Sequence, residues 1–185
     1  MKLSNSGKLM IKRYEGLRLS SYKAHASELF LTIGYGHYGA DVKENMKITK
    51  DEADAIFEHD ILKYENAVNA LNLPINQNQF DALVSFSFNC GVGNLRRLVN
   101  NRTLEQISNA IVLYNKCGGK ELVGLTRRRK EEQAMFNKKD ILDEIAKEVI
   151  DGKWGNGRTR KEKLTSAGYN YADVQRAVNR IMKGK

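Results

Sequence analysis

Glu15, Thr32, Gly34, Tyr35, Gly36, His37 and Tyr38 lie close together near the amino end of the chain, and their residue types suit proton transfer on a bound ligand. A carboxyl beside apolar side chains keeps a proton to give away, because burial disfavours its charged form, and Glu15 precedes Leu17 and Leu19. A threonine hydroxyl donates to one partner while accepting from another. Glycines at 34 and 36 permit a turn and a close approach, and tyrosines at 35 and 38 offer faces for stacking. On position alone Glu15 reads as a surface carboxylate, and Gly-x-Gly is a weak signal. The stretch from Ser20 to His37 contains one acid, Glu28, so chemistry that needs two carboxyls lacks an evident second member.

These residues need elements to hold them. Met10, Ile11 and Tyr14 predict a short helix over residues 6–14, stopped by Gly16, with Glu15 at its end. From Leu17 to Ile33 the short, interrupted β-branched and aromatic pattern predicts a small hairpin sheet, with the turn-rich loop GYGHYGADVKENMK after it. Thr49 with Glu52 forms a capping box, and Ala53, Ile56, Phe57 and Ile61 continue at helical spacing to about Leu71, before Pro74. A second helix starts at Asn76 and runs through FDALVSFSFNCG to Gly91; it is apolar nearly all round and therefore central. Thr103 with Gln106 opens another, to about Asn115, closed by CGG at 117–119, and TRRRKEEQAMF makes a further helix. Within it, Arg127, Arg128 and Arg129 with Glu132 read as ion pairs bracing the fold or as a solvated basic face.

After a polar break at NKKD come three short helical patterns, ILDEIAKEVIDG, Thr159 to Gly168, and YADVQRAVNRIM. The expectation is an α+β chain, mainly helical, with residues 1–138 forming one domain with a small sheet and 139–185 a compact three-helix module.

Composition narrows the class. Hydrophobic residues make up 41% and charged residues 29%, a globular balance. No run approaches the roughly 18 apolar residues of a membrane span, and the first residues lack the apolar core of a secretion signal. Cys90 and Cys117 have no ligand cluster nearby and are expected to be free, partly buried thiols, with no metal or cofactor. A net charge of +9 attracts polyanions, but the basic residues are spread along the chain without base-reading motifs, so nucleic acid is not expected.

Four segments in order, YEGLRLSSYK, TIGYGHYG, NQFDALVSFSFNCG and GLTRRRKEEQAMF, resemble the phage-type lysozyme family, glycoside hydrolase family 24. The tail, IAKEVIDGKWGNGRTRKEKLTSAGYNYADVQRAVNRI, is similar to the choline-independent cell-wall-binding repeat of some pneumococcal phage lysins. The resemblance implies a two-lobed lysozyme-like domain and an endolysin that cuts the β-1,4 bond between N-acetylmuramic acid and N-acetylglucosamine, with peptidoglycan as the partner of both modules. It also implies a cofactor-independent monomer without membrane insertion. Such a protein accumulates in the host cytoplasm, is released through a holin lesion, and adsorbs through its charge to anionic wall polymers.

By the same resemblance Glu15 matches the catalytic acid and Thr32 the threonine that helps hold the attacking water. Gly34, Tyr35, Gly36, His37 and Tyr38 match the cleft wall, with His37 tethered by a carboxylate of a following helix. The usual family pattern has Asp after YK as the base that activates water; here that position is Ala24. Three readings stay open. His25, Glu28 or Asp41 replaces the base; or Glu15 works alone while the C6 hydroxyl of muramic acid attacks, giving 1,6-anhydro products; or the domain is impaired and the protein mainly binds walls. In the tail, Trp154 in KWGNGRTR is read as a sugar-stacking residue or as bundle core. Gly155, Asn156 and Gly157 form its loop, and Arg160 and Lys161 suit muropeptide carboxylates.

Overall fold

A computed structural model describes residues 1–23, 25 and 28–183. The first helix, α1 (Asn5–Glu15), begins where Ser4 accepts a hydrogen bond from the Gly7 amide. It ends because Gly16 adopts φ 69°, a left-handed backbone that returns its amide to Lys12 O. That stop leaves Glu15 as the last helical residue, aimed at whatever packs beyond the helix end.

The chain then forms an antiparallel sheet in sequential order, β1 (Arg18–Tyr22), β2 (Leu31–Gly34) and β3 (His37–Gly39). Thr32 pairs with Tyr22 on one side and Tyr38 on the other, and Ile33 pairs with His37. Side chains alternate across a strand, so Ile33 enters the core while Thr32 shares a face with Tyr38.

Capping boxes start the next three helices, α2 (Lys50–Asn69) at Thr49, α3 (Gln77–Val99) at Asn76 and α4 (Leu104–Ile111) at Thr103. The expected stop of α3 at Gly91 is a kink instead. Gly91 is non-helical at φ 82°, and a second helical piece continues to Val99 because Leu95 and Leu98 are fully buried. The CGG segment is a hairpin tip rather than a helix end. Gly118 and Gly119 both have positive φ, as a tight turn between β4 (Lys116–Cys117) and β5 (Lys120–Glu121) requires. Cys117 is therefore exposed, correcting the expected partly buried thiol, while Cys90 is half-buried. The last helix of this region is α5 (Val123–Phe136).

Helices α1 to α5 enclose one core built on Ile11, Phe57, Phe80, Leu83 and Phe86. The tail comprises α6 (Ile141–Ile150), α7 (Gly157–Ser166) and α8 (Tyr171–Lys183), around a separate cluster of Ile145, Ala146, Val149, Leu164, Val174, Ala177 and Val178. A polar contact joins the two: Asn76 Nδ2 donates to Asp143 Oδ2 at 2.9 Å.

Candidate active site

Glu15 opens onto a cleft of about 430 Å³ between the sheet and two helices. The β2–β3 turn contributes Gly36, His37 and Tyr38, α2 contributes Asp60, Lys63 and Tyr64, and α3 contributes Phe88 and Asn89. The glycine at 36 has a local cause. Its φ is 86°, which strains any other residue, and a Cβ there would lie in ordinary contact with Glu15 Oε2 at 3.5 Å. Tyr64 stacks on Phe88 with ring centroids 5.0 Å apart, and burial together with the carboxylates of Asp60 and Glu15 pushes its phenol pKa up.

Behind Glu15 lies buried charge. Arg128 Nη1 donates to Glu15 Oε1 at 2.7 Å, and Arg128 Nε donates to Glu132 Oε1 at 3.2 Å. Glu132 Oε1 also accepts from Ser85 Oγ at 2.8 Å and Arg129 Nη2 at 2.9 Å, while Arg129 Nε stands 2.8 Å from Glu132 Oε2. Arg129 Nη1 reaches Cys90 Sγ. Arg128 is 3% exposed, and Arg129 and Glu132 are 0% exposed. Burial holds the Glu132 carboxyl above its usual range, the two guanidiniums offsetting only part of that rise. Since arginine keeps its charge, the pair requires a carboxylate between them. Arg127 is the exception in the triple; it lies outside and faces Glu131 at 3.5 Å.

His37 is held on both ring nitrogens, Nδ1 by Asp60 Oδ2 at 2.8 Å and Nε2 by Asp41 Oδ2 at 2.9 Å. Burial lowers its pKa, but the two carboxylates outweigh that and hold it above the usual histidine value. An imidazole whose two nitrogens both face carboxylates is a brace between them, and when protonated it has no lone pair to offer as a base.

The structure brings Glu15, Gly36, His37 and Tyr38 together and separates the rest. Thr32 is buried one strand behind Tyr38 and is not part of the cleft lining, and Gly34 turns toward Ala53 and Ile48. Tyr35 corrects an expectation: instead of facing a sugar it is a core residue, edge-on to Phe57 at 5.6 Å. Asp41 is not part of the cleft lining; its carboxylate pairs with His37 Nε2, which pulls its pKa down. His25 is exposed and Glu28 half-buried in the β1–β2 connection, where the Glu28 amide donates to His25 O at 3.1 Å. Ala24 lies outside the described residues.

Asp60, Lys63 and Tyr64 have no motif to mark them, and Phe88 and Asn89 lie in NQFDALVSFSFNCG, a motif that does not single them out as site residues. Asp60 and Tyr64 share the i, i+4 face of α2, the one signal that could have grouped them. Among the described residues no three His, Cys, Asp or Glu side chains converge as a metal site.

In the tail, Trp154 is partly buried against the small core. Its Nε1 donates to Glu148 Oε2 at 2.9 Å, and its ring meets Tyr169 edge-on. One side of it lines a shallow cavity of about 680 Å³ with Lys153, Glu162 and Lys163. Gly155 and Gly157 have positive φ, as the turn demands. Arg160 differs from expectation. It folds back on its own loop, Nε donating to Gly155 O and Nη2 to Asn156 Oδ1, both at 2.9 Å, because the start of α7 places it over that loop.

With this geometry in place, the likenesses to known proteins are specific. Residues 143–182 match the CW_7 repeat. The chain is 43% identical over 143 residues to the endolysin of Bacillus phage PZA, a match covering 74% of this chain but about half of that protein, 55% of its length. The endolysin of Salmonella phage P22 is 34% identical over 146 residues, covering 74% of this chain and 98% of that protein. The muramidase domain of SpmX from Asticaccaulis excentricus superimposes with a TM-score of 0.66 at 35% identity, covering 75% of this chain and 99% of that one. Residues 12–132, the stretch that carries Glu15, the cleft and the buried arginines, match Phage lysozyme, and the chain belongs to that family.

Proposed function

We propose that this protein is an endolysin that hydrolyses the β-1,4 bond between N-acetylmuramic acid and N-acetylglucosamine in bacterial peptidoglycan. The observation that carries the reading is Glu15 itself, a carboxyl fixed at a helix end, backed by Arg128 and set beside Gly36 in a cleft of sugar-binding size. Glu15 protonates the leaving oxygen as the bond to it breaks, and water attacks the anomeric carbon. Glu28 or His25 of the β1–β2 connection takes the proton of that water. Tyr38, exposed on the cleft wall, stacks on a sugar ring.

The tail retains the enzyme on the wall, with Trp154 as its sugar-facing residue, and so raises its local concentration near uncut bonds. Residues 1–138 and 139–185 act as the catalytic and wall-binding units of one monomer. The net charge adds attraction to anionic wall polymers. Among the described residues no helix is long and apolar enough to cross a membrane. Release from the host cytoplasm is assigned to a holin.

One observation favours a second reading. The carboxylates lining the described cleft are Glu15 and Asp60, and Asp60 is committed to His37. If Glu15 is the only working carboxyl, it first protonates the leaving oxygen and then, as a carboxylate, takes the proton of the muramic acid C6 hydroxyl, whose oxygen attacks the anomeric carbon in place of water. Mass spectrometry of digested peptidoglycan separates the two. Reducing muramic acid ends are expected; 1,6-anhydro ends would replace hydrolysis with transglycosylation, and an undigested wall would sink both.

A further inference from the structure

Glu132 never reaches the cleft, yet it organises the side chain that does. Three donors from two helices meet its Oε1: Ser85 Oγ from α3, and Arg128 Nε and Arg129 Nη2 from α5. Arg128 is bound on both edges, by Glu132 at Nε and by Glu15 at Nη1, and its Nη2 points at Ser85 O at 3.5 Å. The Tyr14 ring lies 5.1 Å from the same guanidinium. A planar guanidinium fixed at Nε, at Nη2 and over its face has one orientation left, and that orientation presents Nη1 to Glu15.

We infer that Glu132 is a positioning residue for the catalytic acid: it aims Arg128 at Glu15 and takes up part of the guanidinium charge that would otherwise fall wholly on Glu15. This rests on the reading of Glu15 as the acid and adds a second requirement to it. Glu15 must be neutral to give its proton and charged once it has given it. A guanidinium already shared with a buried carboxylate stabilises the charged form without locking it in place beforehand.

The other ionisable groups around this unit are Arg13, Tyr14 and the outward Arg127 and Glu131 beside α1 and α5. Cys90 lies beyond Arg129, and His37, Asp60, Lys63 and Tyr64 stand across the cleft. None of them bonds Arg128 Nε, so a neutral amide at 132 leaves that edge without a counter-charge and shifts the guanidinium's influence toward Glu15.

The test is Glu132→Gln in the full chain, assayed for kcat and KM on soluble peptidoglycan fragments across pH. The expected result is a kcat lower by about tenfold with KM little changed, and an alkaline limb of the pH profile moved down by about half a pH unit. A profile and kcat that superimpose on the parent protein, with only a lower Tm, would make Glu132 structural and overturn the inference. Should Glu132→Gln not fold, Glu132→Asp keeps the charge and shortens the reach. It should lower kcat without moving the limb, and an unchanged kcat would be contradictory. Glu15→Gln is the reference. If that variant still cleaves, the assignment of the acid has failed; if it is dead while Glu132→Gln behaves as the parent, only the positioning role has.

Discussion

The two cores of this chain are filled by different rules. The larger one holds Glu65, Asp81, Arg128, Arg129 and Glu132 among its aliphatic and aromatic side chains, whereas the buried residues described in the tail are all aliphatic. Burying charge is costly unless every charge is paired and hydrogen-bonded, so a fold keeps it where geometry matters more than stability. In the larger core the pairing chain ends on Glu15. Among its described residues the tail buries none but aliphatic ones; its Asp143–Arg180 ion pair is only partly covered, and Trp154, Glu148 and Arg160 shape a loop over the apolar base. One region uses buried charge to aim a single carboxyl, and the other uses plain packing to carry a surface.

That contrast is open to experiment, and the largest effect is expected at Arg128. Arg128→Met leaves Glu15 without its guanidinium partner and Glu132 with that of Arg129 alone; loss of one member of a buried pair costs about 3–5 kcal/mol. Denaturant melts should show that loss together with a fall in cleavage of about a hundredfold, while sedimentation with cell walls is unchanged. Normal cleavage would mean the buried charge is not tied to the acid.

Leu164→Ala is the matching change in the tail. Leu164 is 0% exposed and is the buried residue of α7, so its truncation costs about 2–5 kcal/mol within the small cluster. Wall sedimentation should weaken while soluble fragments are cut as before. Equal loss of both activities would show that the regions do not work separately.

His37 gives a smaller, pH-dependent effect. Its folded pKa lies above the unfolded value of about 6.5, so the stability it draws from Asp41 and Asp60 is complete below that pH and is lost as pH rises through the folded value. The Tm gap between the parent and His37→Gln should be widest near about pH 6 and narrow toward alkaline pH. A gap that stays constant would leave the imidazolium without a stabilising role. Arg160→Ala should be the mildest, weakening wall binding a few-fold by loosening the loop between Trp154 and α7 and leaving cleavage intact. A complete loss of binding would make Arg160 a ligand contact rather than a brace.

Local chemistry makes much of the fold legible. Thr49, Asn76 and Thr103 announce their helices because a capping box satisfies its own backbone within four residues. Gly91 and the Gly118–Gly119 pair resist a sequence reading for one reason. Glycine marks a positive φ, but whether the chain then stops, kinks or reverses is decided by the residues downstream, here Leu95 and Leu98 in one case and a two-residue strand in the other. Tyr35 and Tyr38 look alike in sequence beside the same glycines, and only packing against Phe57 sends one inward. Arg127 and Arg128 are neighbours whose side chains diverge by about 100° around a helix, so one meets solvent and the other Glu15. The α2 part of the far wall, Asp60, Lys63 and Tyr64, is brought to the cleft by tertiary contacts that no short motif encodes.

Everything proposed for the cleft depends on Glu15 being the proton donor while binding to the wall resides elsewhere. Glu15→Gln keeps the shape of the side chain and removes its acid. Measured side by side, release of soluble fragments from purified walls should fall by about a thousandfold or more, while the fraction of protein sedimenting with those walls stays at the parent level. Continued release at the parent rate would contradict the assignment of Glu15 as the acid.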